Sequence, residues 1–164
     1  MDFKTFLPDF DAIKKTDWAK PNLKVDTKDY TGLALFAGAA LMLVFVFLPW
    51  ATYAYGDDSV SRLGITTWYG IFAFICAAAA VVGVLYNHTK LALCAAVLAL
   101  LFGILGVAIV PDMTYEGKTF TGKEIKDAVE ASKGKASLTH LGAYLYLVAS
   151  VVTGAAAYLK VTKK

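Results

Sequence analysis

Four long stretches of the chain carry no Asp, Glu, Lys or Arg, and short polar stretches separate them. Gly32 to Trp50 reads GLALFAGAALMLVFVFLPW, Thr66 to Tyr86 reads TTWYGIFAFICAAAAVVGVLY, Leu91 to Val110 reads LALCAAVLALLFGILGVAIV and Ser137 to Leu159 reads SLTHLGAYLYLVASVVTGAAAYL. At about 1.5 Å rise per residue, a helix of about 20 such residues matches the hydrocarbon thickness of a bilayer. Runs this long leave no polar face for water, as a soluble bundle requires. The pattern therefore predicts an all-α integral membrane protein, a four-transmembrane-helix bundle with spans at 32–50, 66–86, 91–110 and 137–159.

The polar stretches carry their own signals. Asn87-His88-Thr89-Lys90 is short enough to make the second and third spans a tight helical hairpin. Residues 1–30 form a cytoplasmic interfacial helix and linker in this reading, and 31–164 form the bundle. Phe3, Phe6, Leu7, Phe10 and Ile13 recur at helical spacing with Asp and Lys opposite them, which predicts a helix lying in the membrane surface. Pro8 interrupts that pattern, and Lys20 to Asp29, with Pro21, reads as the linker. The first outer loop, Ala51 to Ile65, reads as a solvated acidic turn around Gly56, Asp57, Asp58 and Gly64. In the second outer loop, 111–136, TYEGKT predicts a small hairpin about Glu116-Gly117. Thr121-Gly122-Lys123-Glu124 is a capping-box pattern that opens a short amphipathic helix with Ile125, Ala128, Val129 and Ser132 on one face and Gly134 at its end. Ile125 and Val129 are the residues expected to dock that helix, on the bundle or on a partner.

Charge sets the orientation. Of the 16 basic residues, Lys4, Lys14, Lys15, Lys20, Lys24, Lys28, Lys90, Lys160, Lys163 and Lys164 fall on one side of the four-span scheme, and Arg62, Lys118, Lys123, Lys126, Lys133 and Lys135 on the other. The positive-inside rule then places both termini in the cytoplasm. Aromatic belts fit the same register, with Trp50, Tyr53, Tyr55, Trp68 and Tyr69 at the outer ends and Tyr30, Tyr86 and Tyr158 at the inner ends. The first 30 residues lack the apolar core of a removable signal peptide, so the expected location is the inner (plasma) membrane, multi-pass. The dispersed lysines and a net charge of +3 make no basic patch for nucleic acid.

No motif names a chemistry. A titrating group at depth is what a proton-coupled pump needs, but the four runs hold no Asp, Glu, Lys or Arg, and the polar groups they offer are Thr67, Ser150, Thr153 and the thiols of Cys76 and Cys94. His88 and His140 fall at opposite ends of the scheme, too far apart to ligate one haem together, although single ligation of a pigment by either stays open. No nucleophile has a base at recognisable spacing, so the chain is expected to be no enzyme, with no catalytic residue, no metal site and no cofactor. What remains is packing: small residues four apart let helix backbones approach, and Gly38, Gly83, Ala95, Ala99, Gly103 and Gly154 are the expected helix contacts. The function this supports is a non-catalytic membrane subunit or scaffold, surrounded by lipid and assembled with itself or with other membrane protein subunits. The alternative is a small channel or transporter for an uncharged or hydrophobic ligand.

Leu48-Pro49-Trp50 followed by Trp68-x-Gly70-Ile71 resembles the start of the first extracellular segment of claudin-type tetraspan proteins. The resemblance implies a four-span topology and ends at Ile71. This chain has no paired cysteines in that loop and its longer outer loop is the second, so no functional residue is carried over.

Overall fold

The computed structural model describes residues 6–21 and 29–163. Its body is a closed ring of four helices: α2 (Tyr30–Phe45), α3 (Trp68–Leu85), α4 (Thr89–Ala108) and α6 (Leu141–Thr162), with α2 beside α3 and α6, and α4 beside the same two. Three of them, α3, α4 and α6, are long and apolar enough to cross a membrane, and α2 is apolar but shorter, at 16 residues. A short helix α1 (Phe10–Lys14) precedes them. The remaining elements gather at one end of the ring, hereafter the sheet end: β1 (Pro49–Tyr55), β2 (Asp58–Leu63), β3 (Met113–Tyr115), β4 (Lys118–Phe120), α5 (Gly122–Ala131) and β5 (Ala136–Thr139).

The helix boundaries follow from local chemistry. Asp29 opens α2 by accepting the Gly32 amide at 2.9 Å, and Thr67 opens α3 by accepting the Gly70 amide at 3.1 Å. Between α3 and α4, Asn87 takes a left-handed conformation at φ 59°, while the His88 and Asn87 amides donate back to the Gly83 and Val84 carbonyls. That is the Schellman arrangement, which ends one helix and frees the chain to start the next at once. The N-terminal helix is shorter than the spacing predicts. Pro8 cannot donate an amide, Asp9 caps a new start, and α1 holds only five residues; Phe3 lies outside the described residues.

The all-α expectation is corrected at the sheet end. The first apolar run does not stay helical to Trp50: α2 stops at Phe45, and Pro49 begins a strand. Three carbonyls exposed by that stop find donors elsewhere. Trp50 Nε1 donates to Phe45 at 2.9 Å, the Ile65 amide to Val46 at 2.9 Å and the Gly64 amide to Leu48 at 3.1 Å. Residues 51–65 are not a bare turn but a hairpin, with Tyr53 opposite Val60, closed over Gly56 at φ 61°. The fourth apolar run also divides. Ala136–Thr139 pairs antiparallel with β1, Tyr53 opposite Leu138, and the helix begins only at Leu141. β1 is thus the middle of a three-stranded sheet that ties the two connecting segments together. The hairpin about Glu116-Gly117 forms, both residues at positive φ, as does the capping box of Thr121 and Glu124.

The core is made of small residues with one aromatic layer. Ala73, Ala77, Ala80, Ala99, Ala143 and Ala157 are fully buried along the ring, and Trp50, Tyr69 and Tyr146 fill its sheet end. Trp50 and Tyr69 are therefore core residues and not members of an interfacial belt, which corrects the reading from their position in the chain. The Trp50 ring centroid lies 5.1 Å from that of Tyr146 and 6.0 Å from that of Tyr69. Gly64 and Gly106 make room for it, since a Cβ on either would fall about 2.5 Å from indole atoms. Tyr146 spends its hydroxyl on the Ala73 carbonyl of α3 at 2.7 Å. A buried phenol without such a partner would cost about 1–3 kcal/mol.

Candidate functional site

The residues expected to mediate helix contacts fall at unequal distances from their neighbours. Gly38 faces α6, where a Cβ would come 2.5 Å from Thr153 Oγ1 and 3.2 Å from its backbone nitrogen. Gly83 stands against Ala92 across the α3–α4 turn, and Gly103 against Leu147 and Tyr146 of α6. Ala95 and Ala99 are buried in the ring. Gly154 is looser, with Ala96 as its nearest neighbour at 3.7 Å from an added Cβ. All of these lie within the bundle of a single chain.

The two histidines serve opposite ends. His88 Nε2 is 2.7 Å from Thr16 Oγ1, which holds the segment after α1 against the α3–α4 turn, and Tyr86 donates its hydroxyl to the Trp18 carbonyl nearby. His140 Nδ1 is 3.0 Å from the Trp50 carbonyl at the sheet end. Cys76 is buried and Cys94 half-buried, both as free thiols. Among the described residues no group of three His, Cys, Asp or Glu side chains could hold a metal ion.

Two concavities stand out. The first, at the end away from the sheet, has about 480 Å³ and lies between Asp9 and Ile13 of the N-terminal segment, the Asn87 to Leu91 turn, and Lys160. Its charges are partly spoken for: Lys160 Nζ pairs with Asp29 at 2.9 Å, and Asp9 caps α1. The Gly32 amide and then Lys160 hold the Asp29 carboxyl below the ordinary carboxylate range.

The second concavity is at the sheet end and has about 190 Å³. Three separate pieces of chain build it: the β1–β2 hairpin, the β3–β4 hairpin and α5. Ile125, on the apolar face of α5, is buried with Ala51, Val110 and Met113 and forms part of the floor, while Val129 is only half-buried and lies outside that cluster. The helix docks on the chain itself. The Gly122 amide donates to Asp112 at 3.0 Å, and Lys126 reaches the Ala108 carbonyl at 3.4 Å. Above the floor stand Tyr53, Tyr55, Tyr115 and Phe120, with Asp58 and Glu124 as the ionisable groups in the lining. The Asp58 carboxylate pushes the Tyr115 phenol above its ordinary value, and the Thr121 amide and hydroxyl hold the Glu124 carboxyl below its own. Sequence reasoning missed this pocket. The alternation in TYAYGDDSVSRL around Gly56-Asp57 was the available signal for its first wall.

Comparison with known proteins gives no match to a family model, to a curated protein or to a solved structure.

Proposed function

We propose that the chain is a non-catalytic membrane scaffold, a four-span bundle that carries a rigid platform on its outer face. The reading of four crossings rests on exposure. Each of the four helices turns large apolar side chains outward along its length, among them Leu33, Leu41 and Val44 of α2, Ile75 of α3, Leu101 of α4 and Val151 of α6. An apolar surface on every side of a bundle is what lipid accepts and water does not. α2, though short, runs beside α6 over nearly its length. The Asp29–Lys160 pair joins them at one end, and at the other Gly142 stands against the Pro49 carbonyl.

The observation that carries the scaffold reading is the pairing of β1 with β5. It fuses the two outer connections into one sheet over a bundle axis closed by Trp50, Tyr69 and Tyr146. A platform built this way presents shape at little ordering cost, the property a docking surface needs. The same aromatic layer argues against the channel alternative, because a conducting path would have to displace it. The bilayer side follows the lysine distribution, with Lys90 and Lys160 inside and the platform outside. Mild solubilisation from native membranes followed by native electrophoresis tests the reading: the scaffold runs as a defined oligomer or complex, and a monomer at every detergent concentration contradicts it.

A further inference from the structure

We infer that the pocket between the two hairpins and α5 binds a small alkylated ammonium ion, with Tyr55 and Tyr115 against its methyl or methylene shell and Asp58 and Glu124 supplying the opposite charge. The inference does not depend on the scaffold reading or on the bilayer.

The argument begins with the lining. Four aromatic rings and two acidic side chains border the pocket, and among the described residues no Lys, Arg or His does. Aromatic faces carry the negative part of a quadrupole and attract a cation placed over them. Carboxylates at the same cavity add a field of the same sign, so an anion is excluded and a cation favoured. The kind of cation follows from the walls. Met113, Val60 and Ile125 give an apolar floor that cannot replace the water of a strongly hydrated ion, and leaving such a group half satisfied costs several kcal/mol. A metal ion or a bare ammonium is therefore a poor occupant. An alkylated ammonium spreads its charge over a hydrocarbon shell and keeps little water to lose.

Size narrows the class further. At about 190 Å³ the pocket is smaller than the roughly 300–1,000 Å³ of sites for drug-sized ligands, and suits a head group with a short stem. Glu124 is held in place by the Thr121 amide at 2.7 Å and hydroxyl at 2.9 Å, so its charge is fixed before any ligand arrives. The β3–β4 turn keeps Tyr115 opposite Lys118 in the hairpin, which sets the tyrosine at the pocket edge.

The test uses the full chain in maltoside micelles, which carry no ammonium group of their own. Choline and its neutral isostere, the alcohol in which tert-butyl replaces trimethylammonium, are titrated by calorimetry or saturation-transfer NMR. Choline binds saturably and about tenfold more tightly than the isostere, a difference within the range of desolvated cation–π contacts. Asp58→Asn weakens choline by about threefold or more and leaves the isostere unchanged. Tyr55→Leu, at an exposed position beside the Gly56 turn, weakens choline independently should Asp58→Asn fail to fold. Equal affinity for the two compounds would reduce the pocket to an apolar dent and overturn the inference. So would the absence of saturable choline binding, or binding indifferent to both substitutions in folded protein.

Discussion

The indole nitrogen of Trp50 donates a 2.9 Å hydrogen bond to the carbonyl of Phe45, the last residue of α2. One residue thereby caps the end of a helix, enters the core and holds the second position of the central strand. Its ring is fully buried between Tyr69 and Tyr146, and its own carbonyl faces His140. The bundle and the platform are joined at this residue.

Replacing Trp50 tests that joint. Trp50→Ala empties the largest site in the core and leaves the Phe45 carbonyl with only the Leu48 amide at 3.2 Å, and a loss of about 3–5 kcal/mol is expected from the cavity alone. Trp50→Phe keeps most of the volume and loses the hydrogen bond, which costs about 1 kcal/mol or somewhat more. Thermal unfolding in detergent should rank wild type above Trp50→Phe and Trp50→Ala lowest.

The small-residue contacts separate into tight and loose ones. Gly38→Ala drives a methyl group onto Thr153, whose hydroxyl is already bound to the Ala149 carbonyl at 2.7 Å, so α2 must move from α6. Overpacking of this kind costs about 1–3 kcal/mol. Gly154→Ala meets only Ala96 at ordinary contact distance, and helix propensity favours alanine by up to about 1 kcal/mol. Melting temperatures should fall for Gly38→Ala and hold or rise for Gly154→Ala.

Acid should loosen α5 before the bundle. Glu124 has a folded pKa below its ordinary value because the Thr121 amide and hydroxyl bind the carboxylate. Its contribution is complete above the unfolded pKa and is lost as pH falls through the folded one. Hydrogen-exchange protection at the first turn of α5, taken relative to the intrinsic exchange rate at each pH, should therefore fall in the acid range in wild type. In Glu124→Ala that protection should already be low at neutral pH and change little on acidification.

The helical frame was legible in the chain, and the sheet end only in part. α3 and α4 lie within two residues of the apolar runs that predict them, because their ends are marked by Thr67 and by the Asn87 turn. The Thr121 capping box and the Glu116-Gly117 hairpin are local and were equally readable. The stop at Phe45 was not. It depends on donors from Trp50, Gly64 and Ile65, residues whose approach is tertiary. Residues 137–139 look like the start of a span until β1 is present to pair with them. Trp50 and Tyr69 have the composition of an interfacial belt, and only packing distinguishes that role from a core one. The pocket draws on three segments far apart in sequence, so no local spacing could show it whole.

The central claim is that all four helices cross the bilayer with the platform on the outside. Single cysteines introduced as Asp57→Cys, Lys90→Cys, Lys123→Cys and Lys163→Cys, in a chain whose Cys76 and Cys94 are alanine, can be probed in intact cells with a membrane-impermeant thiol reagent. Positions 57 and 123 should label from outside, and positions 90 and 163 only after the membrane is opened. External labelling at position 90, or protection of position 57 beside a labelled position 123, would contradict the four-span account.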